Sequence, residues 1–175
     1  MLRVRIQPSA DRRGPCESLR IYLGRNIMSD PDAAAADLAA IHHLIDRFAK
    51  AIRAKDTAEV MTVFARQVIS YDLGPPLQHG GGEVFVEHWR ALFDAYTGPI
   101  DYEIRDLHVE VSKDLAFSHS LNRTAGVLGS GQRSERWLRW TACYRKHDRK
   151  WLIVHEHVSV PVDVKNGKAI LDLQP

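Results

Sequence analysis

The pattern of hydrophobic and polar positions divides the chain into a helical first part and a second part made of strands. Between residues 31 and 54, apolar side chains recur every three or four positions, the spacing of a long amphipathic helix. Asp56 followed by Glu59 resembles a capping box, which predicts the start of a short second helix. A third helix is predicted to end before Gly98-Pro99. Its positions at helical spacing are Val84, Phe85, His88, Trp89, Leu92, Phe93 and Tyr96.

From residue 100 onward the apolar positions alternate with a period of two, which is typical of strands with one buried face. The alternation changes parity near Arg105 and Asp106, and this change predicts a β-bulge that bends the sheet. Four more strands are predicted, over residues 68–73, 115–127, 133–146 and 151–161. Helices followed by a curved antiparallel meander predict an α+β layer fold in which the bent sheet and the long helix enclose a conical cavity.

The composition is that of one globular domain. The chain has 175 residues, of which 45% are hydrophobic and 26% are charged, enough to build one core. No apolar run approaches the ~18 residues that span a bilayer, so we expect no membrane contact. The net charge of +2 is uneven, because residues 1–27 hold six Arg against Asp11 and Glu17, which is +4 and leaves −2 for residues 28–175. A body that is not basic predicts no nucleic-acid binding.

Residues 1–27 differ from the rest of the chain. They lack the apolar stretch and cleavage site of a secretory signal, and Met28 before Ser-Asp-Pro-Asp looks like a natural start. We therefore interpret residues 1–27 as a poorly ordered extension or a misassigned start, and residues 28–175 as a single domain. Cys16 and Cys143 are too few for a disulfide framework, which favours a cytoplasmic location.

A carboxylate at the end of the first predicted strand, Asp72, is the first candidate for chemistry. It precedes Gly74-Pro75-Pro76, a corner that fixes the direction of the chain because each proline locks φ. Two interpretations stay open. Asp72 either caps nearby backbone N–H groups in a tight turn or is aimed into a site.

Two stretches carry a resemblance to known proteins: FARQVISYDLGPPLQHGG at 64–81 and WLRWTACYRKHDRKWLIVHEHVSVP at 137–161. From about Leu38 to Pro161, the chain resembles the SnoaL-like and ketosteroid isomerase-like families of the nuclear transport factor 2-like superfamily. The second stretch is also similar to the association domain of calcium/calmodulin-dependent kinase II. The resemblance implies a cone-shaped fold, with a curved, largely antiparallel sheet wrapped around a long N-terminal helix and two shorter helices. It does not imply one activity, because the superfamily includes isomerases, cyclases, dehydratases and scaffolds.

The resemblance to ketosteroid isomerase also implies a role for Asp72. This residue aligns with the catalytic aspartate of that enzyme, which moves a proton between carbons beside a ketone. The two donors of that enzyme's oxyanion hole fall on Phe48 and Ala142, so both are missing here. Since the loss of one such donor typically costs about 10²–10³ in rate, we do not expect standard steroid isomerisation.

The last predicted hairpin supplies candidate partners for Asp72. A two-residue turn at Asp148-Arg149 would pair residues whose numbers sum to 297, with Ala142 opposite His155 and Trp140 opposite His157. In this register both histidines face the cavity, and His155 becomes the acid or orienting partner of Asp72. The alignment also turns Phe117 and His119 inward. The predicted ligand-binding residues are Phe48, Trp89, Tyr102, Phe117, His119, Trp140, Tyr144 and His157.

Three interpretations of His155 and His157 stay open: hydrogen-bonded core residues, catalytic or ligand-contacting groups, and metal ligands. A metal would need further ligands, for which only His119 is available, so we predict no metal site and expect no cofactor. Trp137, Arg139 and Arg145 fall on the outer face of the sheet. The resemblance implies homodimerisation through that face.

The leading hypothesis is therefore a homodimer that binds an apolar, carbonyl-bearing small molecule. Asp72 would act as general base and His155 as its partner in a proton transfer, cyclisation or dehydration without a cofactor. The alternative is a non-catalytic ligand-binding or oligomerisation module in which Asp72 only tethers a turn.

Overall fold

The computed structural model describes residues 31–175, and the extension predicted over residues 1–27 lies outside this range. The helices are α1 (Pro31–Ala54), α2 (Thr57–Met61) and α3 (Glu83–Asp94). The strands are β1 (Phe64–Tyr71), β2 (His79–Gly80), β3 (Asp101–Ser112), β4 (Leu115–Val127), β5 (Arg133–His147), β6 (Lys150–Ser159), β7 (Val162–Asp163) and β8 (Lys168–Ala169). None of the helices in this part of the chain is long and apolar enough to cross a membrane.

Helix α1 follows the apolar pattern that predicted it. Its buried face carries Ile41, Ile45, Phe48 and Ile52, each nearly inaccessible to solvent. Burying each such side chain stabilises the fold by about 1.5–3 kcal/mol. The predicted cap of α2 is also present, because the Asp56 carboxylate accepts a hydrogen bond from the Glu59 N–H at 2.9 Å.

A curved sheet of six strands, in the order β2-β1-β6-β5-β4-β3, wraps around α1. All neighbouring strands are antiparallel except β1 and β6, which run parallel. The predicted bulge in β3 is confirmed: the register with β4 shifts between Arg105 and His108, and Asp106 has a positive φ of 54°. Together with the helices, the sheet forms the α+β cone fold that the resemblance implied.

The β5–β6 hairpin confirms the predicted turn but not the predicted register. Asp148 and Arg149 both have positive φ, as a two-residue hairpin loop of type I′ requires. Tyr144 pairs with Ile153 as predicted, but the next pair is Cys143 with His155, so β6 contains one extra residue. Because side chains alternate between faces, this shift places His155 and His157 on the outer face, and the prediction that they face the cavity is wrong.

Strand β4 buries the face opposite to the one predicted. Ser118, Ser120 and Asn122 are buried on the inner side, whereas Phe117 is 42% exposed and His119 also points outward. The inner polar groups satisfy one another, since Ser118 Oγ lies 2.8 Å from Tyr144 Oη and Ser120 Oγ donates to Asn122 Oδ1 at 2.7 Å. Hydrogen bonding therefore offsets the cost of burying these polar groups. A prediction from apolar character alone assigns the wrong face of β4 to the core.

Candidate functional site

A cavity of about 350 Å³ lies between α1, α3 and the inner face of the sheet. Four of the aromatic residues predicted to contact a ligand line it, namely Phe48, Trp89, Tyr102 and Trp140. Phe48 stands at the centre of this group, with Trp140 stacked at a ring separation of 5.4 Å and Trp89 edge-on at 5.6 Å. An aromatic cavity of this size fits a small apolar molecule. Tyr144 is fully buried but is not part of the wall.

Asp72 and His88 form a hydrogen-bonded pair in this wall. The distance from His88 Nε2 to Asp72 Oδ2 is 2.7 Å, and the side chains are only 22% and 19% exposed. The other carboxylate oxygen of Asp72 accepts a hydrogen bond from the Leu73 N–H at 2.6 Å. A carboxylate can only accept, so Nε2 carries the proton and Nδ1 of the same ring is left to accept one.

The surroundings keep Asp72 ionised. Burial by itself would raise its pKa, but the hydrogen bonds from His88 and Leu73 and the charges of His88 and His79 outweigh burial, so the pKa is lowered. An ionised Asp72 is a weak base at neutral pH. It is better suited to holding His88 in one tautomer and one orientation than to taking a proton itself.

His79 packs against the other side of the pair. Strand β2 pairs with the end of β1, and this places the His79 ring 4.1 Å from the His88 ring. His79 is 6% exposed, and its Nε2 has no hydrogen-bond partner within residues 31–175. Burial and the charge of His88 lower the pKa of His79. The lowered pKa favours the neutral form of His79, so His79 supports the His88 ring by packing against it.

A second carboxyl group, Glu156, occupies the inner position that the register shift takes from His155. It is 4% exposed and accepts hydrogen bonds from Trp140 Nε1 and Ser70 Oγ, both at 2.9 Å. Burial raises the pKa of Glu156 to about 7, although the two hydrogen bonds oppose this rise. The cavity thus contains one ionised carboxylate, Asp72, and one carboxyl group that is partly protonated near neutral pH. A buried carboxyl group with a raised pKa is a candidate acid at neutral pH.

The hydroxyl of Tyr102 is a candidate donor to a ligand oxygen. Asn122 Nδ2 donates to Tyr102 Oη at 2.7 Å, and no acceptor within the described part of the chain takes the proton of Tyr102 itself. Burial raises the pKa of Tyr102, so the phenol stays protonated. Tyr102 therefore offers a hydrogen-bond donor in a cavity that lacks the two donors of the ketosteroid isomerase oxyanion hole, whose positions fall on Phe48 and Ala142.

Four predicted site residues lie on the outer face of the sheet, away from the cavity. His155 Nδ1 donates to the Ile69 carbonyl at 2.8 Å, and the rings of His155 and His157 lie 4.8 and 5.9 Å from the Tyr71 ring on the outer face. Phe117 and His119 share that face. A partnership between Asp72 and His155 is therefore ruled out by the fold. Within residues 31–175, no three His, Cys, Asp or Glu side chains converge as a metal site would require.

Sequence reasoning missed His88 and Glu156 as site residues. His88 stands at an apolar position of the helical pattern between Phe85 and Trp89, and a polar residue on the buried face of a helix was the available signal. Glu156 left no such signal. It lies on the inner face only because β6 gains one residue relative to β5.

Comparison with known proteins identifies the fold and the family. A family model described as a SnoaL-like domain matches residues 41–163. The chain is similar to an NTF2-like protein of unknown function from Pseudomonas putida, with 32% identity over 81% of this chain and 98% of that chain and a TM-score of 0.73. No curated protein matches the chain.

Two more distant structures share the fold alone. A ketosteroid isomerase-like protein from Erwinia carotovora atroseptica is 20% identical over 70% of this chain and 95% of that chain, with a TM-score of 0.62. A candidate dehydratase of the NTF2-like family from Streptomyces avermitilis is 14% identical over 74% of this chain and 99% of that chain, with a TM-score of 0.66. The match to the family model covers well over half of the sequence, and the chain therefore belongs to the SnoaL-like domain family.

Proposed function

We propose that the protein binds an apolar, carbonyl-bearing small molecule in its cavity and catalyses a proton transfer on it without a cofactor. The observation that carries this proposal is the 2.7 Å hydrogen bond between His88 Nε2 and Asp72 Oδ2 in the wall of the aromatic cavity. An imidazole oriented by a buried carboxylate is a common form of general base.

Four polar groups of the cavity have a step in this reaction. His88 Nδ1 takes a proton from the carbon beside the carbonyl, while Asp72 stabilises the imidazolium that results. Tyr102 donates a hydrogen bond to the oxygen that gains negative charge, a contribution that in other enzymes is worth about 10²–10³ in rate. Glu156 in its protonated form returns a proton to carbon in an isomerisation or to a departing hydroxyl group in a dehydration. The names of the two distant fold neighbours, an isomerase-like protein and a candidate dehydratase, agree with these two outcomes.

A non-catalytic binding module is the second candidate function. One contact favours it: the Leu73 N–H donates to Asp72 Oδ1 at 2.6 Å, which is the bond expected if Asp72 tethers the turn before Gly74. The cavity would then bind the same class of molecule without turning it over.

The replacement Asp72→Asn tests the proposal. We expect wild-type protein to exchange the α-protons of cyclic ketones in D₂O, and the variant to do so at least about 10-fold more slowly, because an amide no longer stabilises the charged imidazole. Proton NMR of a panel of cyclic ketones measures this exchange. Asp94→Asn is the matched control, since Asp94 lies exposed at the end of α3 and should leave the rate unchanged. Wild-type protein that binds these ketones but exchanges no protons would support the binding module instead.

We also propose that the outer face of the sheet forms a homodimer interface. Large apolar side chains are exposed there on β4, including Leu115 and Phe117 at 48% and 42%. Phe117→Glu should convert a dimer into a monomer, because a charge would be buried without a partner in the interface. Size-exclusion chromatography with light scattering measures the change. Leu77→Glu, at a loop residue that is 97% exposed, should leave the dimer intact, and a monomeric wild-type protein would refute this proposal.

A further inference from the structure

An arginine in the cavity wall has no role in the proton transfer. Arg136 lies on β5 with the same parity as Leu138 and Trp140, so its side chain faces the cavity and lines it. It is half-buried, and its guanidinium donates one hydrogen bond, to Ser134 Oγ at 2.8 Å. Thr124, its partner across the β4–β5 ladder, lines the same part of the wall.

Arg136 has no counter-ion among residues 31–175. None of the ion pairs formed in this part of the chain includes it, whereas Arg123, one pair away on β4, contacts both Glu103 and Glu135. The two carboxyl groups of the cavity are engaged elsewhere, Asp72 with His88 and Glu156 with Trp140. Because a guanidinium stays charged and carries five N–H donors, most of its hydrogen-bonding capacity is left for a ligand.

The position of Arg136 sets its distance from the reacting groups. Trp140 donates to Glu156 and follows Arg136 by four residues on β5, which at about 3.3 Å per residue is about 13 Å of strand. This spacing places Arg136 and the carboxyl group of Glu156 at different parts of the cavity wall. A single ligand contacts both Arg136 and the reacting groups only if it is elongated, with a charged group at one end and the reacting carbonyl at the other.

We infer that the ligand is an amphiphilic acid, with a carboxylate bound by Arg136 and an apolar, carbonyl-bearing body among the aromatic side chains. A guanidinium and a carboxylate form two parallel charge-assisted hydrogen bonds, and such pairs are roughly twice as strong as neutral ones. The placement of the carbonyl near His88 rests on the proposed function. The binding of the carboxylate does not.

Two probes of equal shape test the inference, 4-phenylbutyrate and its neutral amide. We expect wild-type protein to bind the acid at least about 10-fold more tightly than the amide, and Arg136→Gln to abolish this preference. Quenching of tryptophan fluorescence measures both affinities, because Trp89 and Trp140 line the cavity. Arg133→Gln is the matched control. It removes the same charge from an exposed residue of β5 with the opposite parity, and it should keep the preference.

The inference is overturned if wild-type protein binds neither probe, binds both equally, or keeps its preference in Arg136→Gln. Arg136→Lys distinguishes a lost contact from a folding defect in Arg136→Gln. Lysine retains the charge but not the planar fork of donors, so this variant should keep part of the preference for the acid. The test is independent of turnover. A preference for the acid in wild-type protein that exchanges no ketone protons would refute the proposed catalysis and leave this inference standing.

Discussion

Replacing His88 with glutamine is expected to lower the rate of α-proton exchange on cyclic ketones by about 10²–10⁴-fold, the usual contribution of a positioned general base. Glutamine retains a side-chain N–H that can donate to Asp72, so the hydrogen bond at 2.7 Å has a substitute. It has no nitrogen that accepts a proton at neutral pH. The variant therefore separates the chemistry of the imidazole from its part in the structure. Proton NMR in D₂O measures the loss.

The matched control for this variant is His43→Gln. His43 is exposed on α1, far from the buried face of that helix, and its replacement should leave both exchange and affinity unchanged. Equal rates in His88→Gln and wild-type protein would contradict the assignment of His88 as the base. A loss of ketone affinity as large as the loss of rate would contradict it as well, since it would show that His88 contributes to binding alone.

Replacing Glu156 with glutamine is expected to remove a fall in stability that wild-type protein shows as the pH rises from about 5 to 8. Burial raises the pKa of Glu156 from 4.5 to about 7, so in this interval the folded protein retains a proton that the unfolded chain has lost. The free energy of unfolding must then decrease with rising pH, by on the order of 3 kcal/mol in total. Glutamine does not titrate, so the variant should gain stability relative to wild-type protein as the pH rises.

Urea unfolding at several pH values between 5 and 8 measures this difference. His79, whose pKa is lowered, contributes a change of opposite sign, but it is present in both proteins and cancels in the comparison. Glu87→Gln, at an exposed glutamate of α3, should give a curve parallel to that of wild-type protein. Parallel curves for Glu156→Gln would mean that Glu156 is ionised in the folded protein. It could then not serve as the acid of the proposed reaction.

The sequence by itself determined the elements whose signals are local. The apolar spacing of α1, the Asp56 cap of α2 and the two-residue turn at Asp148-Arg149 depend on residues within a few positions of one another. A change of parity along one strand was likewise enough to locate the bulge near Asp106. The resemblance of two short stretches then identified the fold, because these stretches combine a turn, a strand ending and the spacing of aromatic residues.

Only the tertiary structure decided which side chains meet in the cavity. One extra residue in β6 exchanges His155 for Glu156, and no pattern within that strand reveals the insertion, because the register depends on pairing with β5 and β1. The inward face of β4 was decided by hydrogen bonds among Ser118, Ser120 and their partners, which make a polar face the buried one. The contact between His88 and Asp72 arises where α3 packs against β2, the short strand paired with the end of β1. Local patterns report how each element is built, whereas the chemistry depends on pairings between elements distant in the chain.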